Sequence, residues 1–276
     1  FAVPARKGVW VRLVDAAGNA FLTGSSEKRA FVTKLSPEGE VVFSKWIGGD
    51  FESAGQAILI TPGGEIVVSG TSIGGYPVTE GAFKPATTPP VFLTKLDATA
   101  TRVVFAIYGI GGSSLAVDAV GNLFVAGSTT RLDYPTTPGA YQERFRMAWF
   151  CFANGCRSSD KNQYVSKVDA TGATLIYSTA LTWYGDGPVP ACQPLCIDPI
   201  PTASFTDHRG LAIDQEGNAY VTGLTASGYP FTINAPLPAG VPFLTKLNPA
   251  GSRVVFSTPI GGQSVSITPD GSLYTA

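Results

Sequence analysis

Short apolar stretches alternate with glycine-containing turns along the whole chain, and the same stretches recur in the same order. One segment reads GNAFLTG at 18–24, GEIVVSG at 64–70, GNLFVAG at 121–127 and GNAYVTG at 217–223, with a shorter copy, GSLYTA, at 271–276. Self-similarity at a spacing of tens of residues is typical of an array or a propeller. The repeat therefore predicts the architecture better than any single residue does.

Each repeat predicts two β-hairpins. In the first, apolar stretches flank a turn such as DQEGN at 214–218, where glycine supplies the positive φ of a short loop. The second reads FLTKLNPAGSRVVFS at 243–257, with copies at 31–44, 92–106 and 164–178. The inner strands are apolar on both faces, which favours sheets packed between neighbours. We predict an all-β propeller of four-stranded antiparallel blades; a β-solenoid, the structural competitor, would have a shorter, parallel repeat.

A third segment recurs after the first hairpin. It reads GYPVTEGAF at 75–83, DYPTTPGAYQ at 133–142 and, more weakly, GYPFT at 228–232. With the other two segments, in the same order, it resembles the bacterial SBBP β-propeller repeat family over most of the chain. The resemblance implies a secreted or surface-exposed propeller, usually within a larger protein, and offers no general catalytic residue. The first repeat departs from the pattern, because residues 25–29 replace this segment and predict a short loop.

The repeats divide one continuous region, 1–276, into four complete blades and part of a fifth. The predicted blades span about 8–49, 54–112, 113–183 and 209–262, and the partial fifth spans 263–276. A half blade favours an open arc or a fragment of a larger propeller, and closure by residues 1–5 as an outer strand is the alternative. The full blade number and the oligomeric state stay open.

Composition excludes several classes of function. Only 14% of residues are charged and the net charge is −1, so the chain has no electrostatic footprint for nucleic acid or an anionic membrane. No apolar run approaches the roughly 18 residues of a membrane span. The opening residues lack a signal peptide, so a leader is either removed or outside this sequence. No phosphate-binding loop occurs in a strand-to-helix context, and no cofactor is predicted.

Two insertions distinguish the third repeat, at about 143–163 and about 184–209. Antiparallel strand order brings both to the same end of the sheet, and long loops on a rigid scaffold are where binding tends to reside. They carry all four cysteines: Cys151, Cys156, Cys192 and Cys196. We expect disulfides, with the local pairs Cys151–Cys156 and Cys192–Cys196 slightly favoured. The alternatives are free thiols or a four-cysteine zinc site, whose spacing falls outside the usual tight knuckle.

Aromatic and polar residues on the same insertions are the candidate ligand-binding set. Aromatic faces cover apolar sugar surfaces while polar groups fix orientation; the alternative is a small core under the long loops. The set is Trp149, Phe150, Phe152, Trp183, Tyr184, Asp186, His208 and Arg209. His208 is the only histidine, and we expect a surface residue rather than a catalyst, since no Gly-x-Ser-x-Gly motif accompanies it.

Charged residues fall into two groups. Those near the insertion-bearing face could supply the carboxylate pair of a glycosidase: Asp133, Glu143, Asp160, Asp186 and Asp207. Those that recur in each blade are predicted to be structural. Asp15, Asp118 and Asp214 are expected to cap turns rather than to bind calcium. Lys34, Lys95, Lys167 and Lys246 are expected at structural or edge-solubilising positions.

These observations favour a secreted or cell-surface module for recognition or scaffolding, with the periplasm as the alternative location. Its ligand is expected to be a glycan or a protein, held at the insertion-bearing face, with no nucleic acid and no membrane insertion. We predict no catalytic residue, metal or cofactor. The alternatives are a carbohydrate-active hydrolase or lyase that uses face carboxylates, and a structural spacer of a larger surface protein or appendage.

Overall fold

The computed structural model describes residues 9–145, 149–152, 155–158, 161–181, 207–224, 232, 241–268 and 270–276. Within these ranges the chain forms twenty β-strands and no helix. It divides into two compact units: Phe1–Val125 with Lys167–Ile176, and Ala126–Ser166 with Tyr177–Ala276.

The first unit contains two complete four-stranded antiparallel sheets, which we call the first and second blades. The first blade has the strand order β1-β2-β3-β4 and comprises β1 (Val9–Val14), β2 (Ala20–Ser26), β3 (Arg29–Leu35) and β4 (Val41–Ile47). The second has the order β5-β6-β7-β8 and comprises β5 (Glu52–Ile60), β6 (Ile66–Ile73), β7 (Val91–Leu96) and β8 (Val103–Tyr108). In both, sequence neighbours pair with each other, as two successive hairpins require.

The third blade carries an additional hairpin, and its residues are divided between the two units. The strands in chain order are β9 (Ser114–Val117), β10 (Leu123–Thr129), β11 (Trp149–Phe152), β12 (Gly155–Ser158), β13 (Asn162–Val168) and β14 (Leu175–Leu181). The blade has the order β14-β13-β10-β9, and β11 and β12 form a separate two-stranded sheet. The first insertion therefore contains a hairpin of its own. Its last residue, Gln163, already belongs to strand β13 of the blade.

The second unit also contains the fourth blade and the start of a fifth. The fourth has the order β15-β16-β17-β18 and comprises β15 (Asp207–Ile213), β16 (Ala219–Leu224), β17 (Pro242–Leu247) and β18 (Val254–Thr258). The strands β19 (Val265–Ile267) and β20 (Leu273–Thr275) form the partial fifth. The predicted all-β architecture of four-stranded antiparallel blades is confirmed.

Apolar side chains of the first two blades form one continuous core in the first unit. Phe21 and Val32 of the first blade belong to the same buried cluster as Ile66, Val68 and Phe92 of the second. β6 is buried over its first five residues, which explains why its sequence is apolar on both faces.

The recurring Tyr-Pro segment supplies a core side chain to its own blade. In the first unit Tyr76 lies flat on Phe92, with ring centroids 4.2 Å apart. In the second unit Tyr134 stacks on Tyr164 at 3.9 Å. The first blade has no such segment: β2 and β3 are joined at Glu27 and Lys28, whose φ values of 50° and 64° belong to a tight turn. The predicted short loop is confirmed.

Candidate functional site

In the third and fourth blades the recurring aspartate and lysine form an internal ion pair at the turn of the first hairpin. The backbone N–H of Asn218 donates to Asp214 Oδ1 at 2.8 Å, and Lys246 Nζ lies 3.1 Å from Asp214 Oδ2. Asp118 and Lys167 repeat the pair at 3.0 Å. Partial burial acts to raise the pKa of Asp214, but the hydrogen bonds from Asn218, Lys246 and Tyr220 outweigh it and lower that pKa overall. The predicted turn-capping role of the aspartates is confirmed.

The second blade places the same negative charge at a different position in its turn. Thr61 stands where the other blades have aspartate, and Glu65 stands where they have asparagine. Glu65 Oε2 lies 2.6 Å from Lys95 Nζ, whose side chain is buried. A buried cation requires a paired anion. These recurring charges therefore belong to the scaffold and form no ligand site.

The hairpin β11–β12 carries the predicted aromatic residues of the first insertion. Trp149, Phe150 and Phe152 lie in β11, and Cys151 and Cys156 are Cα partners in the antiparallel register. The structure describes only the backbone of these residues. The other predicted insertion residues lie outside the described ranges: Trp183, Tyr184, Asp186, Cys192 and Cys196.

His208 and Arg209 lie in β15, directly after the second insertion. His208 is buried, with 7% of its surface exposed, so the expected surface location is wrong. Its backbone N–H donates to Ser128 Oγ at 3.0 Å, which holds the residue inside the second unit. Burial lowers the pKa of the His208 imidazole to about 3, so the ring is neutral at pH 7.

Gln163 is the functional candidate that the sequence analysis missed. Its side chain is fully buried, and neither its amide nitrogen nor its amide oxygen has a hydrogen-bond partner among the described residues. Both ring nitrogens of His208 are likewise buried without a hydrogen-bond partner among the described residues. The other blades place Ala30, Val91 and Pro242 where the third blade has Gln163. A glutamine among small or apolar counterparts is the signal that could have found it.

Two of the candidate carboxylates near this face, Asp133 and Glu143, are engaged by the chain itself. Arg131 Nη2 lies 2.6 Å from Asp133 Oδ2, and the hydrogen bond from Arg131 is the main cause that lowers the pKa of Asp133. Glu143 Oε1 accepts the backbone N–H of Gly139 at 2.6 Å. Asp207 begins β15, and Asp160 and Asp186 lie outside the described residues. A general acid needs a raised pKa, which is the opposite of what Asp133 has.

A groove of about 460 Å³ lies between the first and second blades, within the first unit. Its walls are residues 45–48, 76–79, 94, 96, 100–103 and 106. Trp46 on one wall is 44% exposed, and the guanidinium of Arg29 lies 4.8 Å from its ring centroid. Lys45 and Arg102 also line the groove, and no aspartate or glutamate is among these lining residues. The sequence analysis did not predict this groove.

Membrane and metal binding can be considered for the described residues. No helix there is long and apolar enough to cross a membrane. No group of three or more histidine, cysteine, aspartate or glutamate residues in those ranges is placed to hold a metal ion.

Comparison with known proteins supports the repeat assignment. Residues 206–231 match the family model described as SBBP, beta-propeller repeat, which confirms the resemblance. No curated protein matches the sequence.

Solved structures give likenesses at low sequence identity. The holo PQQ domain of pyranose dehydrogenase from Coprinopsis cinerea is 12% identical, with a TM-score of 0.39, over 90% of this chain and 53% of that one. A member of the DUF4221 family from Bacteroides vulgatus is 9% identical, with a TM-score of 0.32, over 92% of this chain and 67% of that one. The chain thus spans about half the length of the first of these two.

Proposed function

We propose that this chain, which carries SBBP propeller repeats, is an extracellular recognition module that binds carbohydrate where the two insertions meet the third and fourth blades. The proposal rests on two buried side chains, Gln163 and His208, whose polar atoms have no hydrogen-bond partner among the described residues. Each lies at the start of a strand that follows an insertion. A buried polar group without a partner costs about 1–3 kcal/mol, and a ligand that supplies the missing hydrogen bonds offsets that cost.

The chemistry of the two groups fits an uncharged, hydroxyl-rich ligand. With its pKa at about 3, the His208 imidazole is neutral and offers one donor and one acceptor. The primary amide of Gln163 offers both as well. Trp149, Phe150 and Phe152 provide the aromatic content that sugar stacking requires. Trp183, Tyr184, Asp186 and Arg209 complete the proposed binding surface.

An extracellular location is proposed together with two disulfides, Cys151–Cys156 and Cys192–Cys196. Directly opposed residues in an antiparallel pair have Cα atoms about 4.5–5.5 Å apart. That separation falls inside the range of about 4.4–6.8 Å found for disulfides, so the register of Cys151 and Cys156 supports the first bridge. Peptide mapping without reductant should recover both bridges, whereas four alkylatable thiols would overturn the disulfides.

The binding proposal is tested on a glycan array with the full chain and matched variants. Trp149→Ala should weaken retention about tenfold or more, because a stacked aromatic contributes on the order of 1–2 kcal/mol. Val120→Ala is the control: Val120 is 75% exposed in the turn between β9 and β10, so its truncation should leave retention unchanged. Retention of no glycan at all would overturn the carbohydrate assignment.

The rival functions give different results in the same experiment. Release of new reducing ends from a retained polysaccharide, abolished by Asp186→Asn, would replace recognition by catalysis. Retention without turnover supports recognition. Absence of both retention and turnover would favour the structural spacer.

A further inference from the structure

A five-residue segment, which we call the connector, recurs beside the fourth, outer strand of a blade. It comprises residues 79–83 beside β8 in the second blade and 137–141 beside β14 in the third. Thr79 donates its backbone N–H to Ala106 O and accepts the Ala106 N–H on Oγ1 at 3.0 Å. Thr137 makes the same two bonds with Ser178, both at 3.0 Å. The threonine thus covers the open edge of an outer strand with one donor and one acceptor.

The last residue of each connector contacts the following blade, at the turn between that blade's third and fourth strands. The backbone N–H of Phe83 donates to Gly172 O at 2.8 Å within the first unit. The N–H of Tyr141 donates to Gly251 O at 2.8 Å within the second unit. A turn with glycine at positive φ lies between the two ends in both cases, at Gly81 and Gly139. The two connectors therefore have the same conformation and the same contacts.

The first blade has no connector, and both contact points for one are present. Ser44 lies opposite Thr33 in β4, as Ala106 lies opposite Thr94 in β8. No described residue caps the outer edge of β4 at Ser44 as Thr79 caps β8 at Ala106. Ala100 is the counterpart of Gly172 and keeps the positive φ, at 53°.

The carbonyl of Ala100 accepts no hydrogen bond from a described residue. The groove of about 460 Å³ is lined by Lys45 and Trp46, which follow Ser44 in β4, on one side and by Ala100 and Thr101 on the other. In the second blade, residues 79–83 cross the equivalent space, from the edge of β8 at Ala106 to the turn at Gly172. The groove is thus the space that a connector fills in the next blade.

We propose that this groove binds a peptide of the sequence Thr-x-Gly-Ala-aromatic from another chain, which turns at its glycine and takes the place of the missing connector. Its threonine exchanges two hydrogen bonds with the edge at Ser44, and the N–H of its aromatic residue donates to Ala100 O. Addition of a segment to an open strand edge is an established mode of peptide recognition. Lys45 and Arg102 on the walls favour an acidic residue at x, as Glu80 is in the second blade's connector.

The test uses a synthetic nonapeptide, PVTEGAFKP, which reproduces residues 77–85. Trp46 reports on binding because it lines the groove, and Trp46→Phe assigns the fluorescence change to that residue. We expect saturable binding of the native peptide. Replacement of its threonine by valine, or N-methylation of its phenylalanine, should weaken binding about fivefold to tenfold, as the loss of one hydrogen bond implies. A scrambled peptide is the control.

A second variant keeps the test independent of peptide chemistry. A chain in which Glu27 and Lys28 are replaced by residues 73–89 carries its own connector and should no longer bind the peptide, while glycan retention stays unchanged. The proposal is overturned if the native peptide does not bind saturably, or if the valine and N-methyl peptides bind as tightly as it does. The peptide series decides the matter even where the grafted chain does not fold.

Discussion

The ring of Tyr76 lies flat on that of Phe92, with centroids 4.2 Å apart and 5° between the planes, and its hydroxyl shares a 2.7 Å hydrogen bond with Thr94 Oγ1. Tyr134 repeats the arrangement in the second unit, where it stacks on Tyr164 and reaches Ser166. The recurring tyrosine therefore links the loop between the second and third strands of a blade to that blade's own core.

Removal of the Tyr76 hydroxyl should cost far less than removal of the ring. Tyr76→Phe loses one buried hydrogen bond and should lower the free energy of unfolding by about 1 kcal/mol. Tyr76→Ala leaves a cavity in the core and should lower it by about 3–5 kcal/mol. Urea denaturation measures both. Tyr274→Phe, at a residue that is 60% exposed, is the control and should have no effect.

The ion pair between Lys95 and Glu65 should tolerate relocation of its negative charge but not its loss. Glu65→Gln leaves the buried Lys95 ammonium without an anion and should destabilise the chain by about 3–5 kcal/mol. The double variant Thr61→Asp, Glu65→Asn reproduces the arrangement of the third and fourth blades and should recover most of that loss. If the double variant were as unstable as Glu65→Gln, the turns of the blades would not be interchangeable.

Two glycines with similar positive φ values should respond differently to substitution by alanine. Gly39 and Gly172 have φ values of 87° and 76°, so a side chain at either costs about 1–2 kcal/mol. A Cβ on Gly39 meets nothing within 4 Å, whereas one on Gly172 overlaps the ring of Phe105. Gly172→Ala should therefore cost about 1–3 kcal/mol more than Gly39→Ala, because the core is overpacked. If thermal or urea unfolding gave the same loss of unfolding free energy for both variants, the overlap with Phe105 would be contradicted.

His208 should make the chain less stable as the pH falls below neutral. Its pKa is about 3 in the folded chain and about 6.5 when unfolded, so between these values the unfolded state binds the extra proton. The free energy of unfolding should fall as the pH drops from 6.5, by up to about 1.4 kcal/mol per pH unit. His208→Leu should remove this dependence between about pH 6.5 and 4.5, above the range in which most carboxylates titrate. An unchanged profile in the variant would contradict the burial of the ring.

The sequence predicted the strands, the turns and the roles of recurring residues, because a residue that returns in every blade meets the same surroundings each time. The capping role of Asp214 is an example. The short loop at Glu27 and Lys28 was predictable for a different reason, because a segment that recurs in the other repeats is missing there. The burial of His208 could not be predicted in this way, since it depends on packing around one unrepeated position. The groove beside Trp46 was not predicted either, because it arises where a connector is absent and no recurring residue marks it.

We infer that the buried polar groups of Gln163 and His208 serve ligand binding rather than the stability of the fold. Gln163→Leu tests it most directly, with urea unfolding and glycan retention measured on the same preparation. Leucine fills a similar volume and removes two unsatisfied polar atoms, so the free energy of unfolding should be equal to or higher than that of the native chain. Glycan retention should be lost at the same time. A variant that loses stability while it retains glycan as tightly as the native chain would show that Gln163 serves the fold and not the ligand.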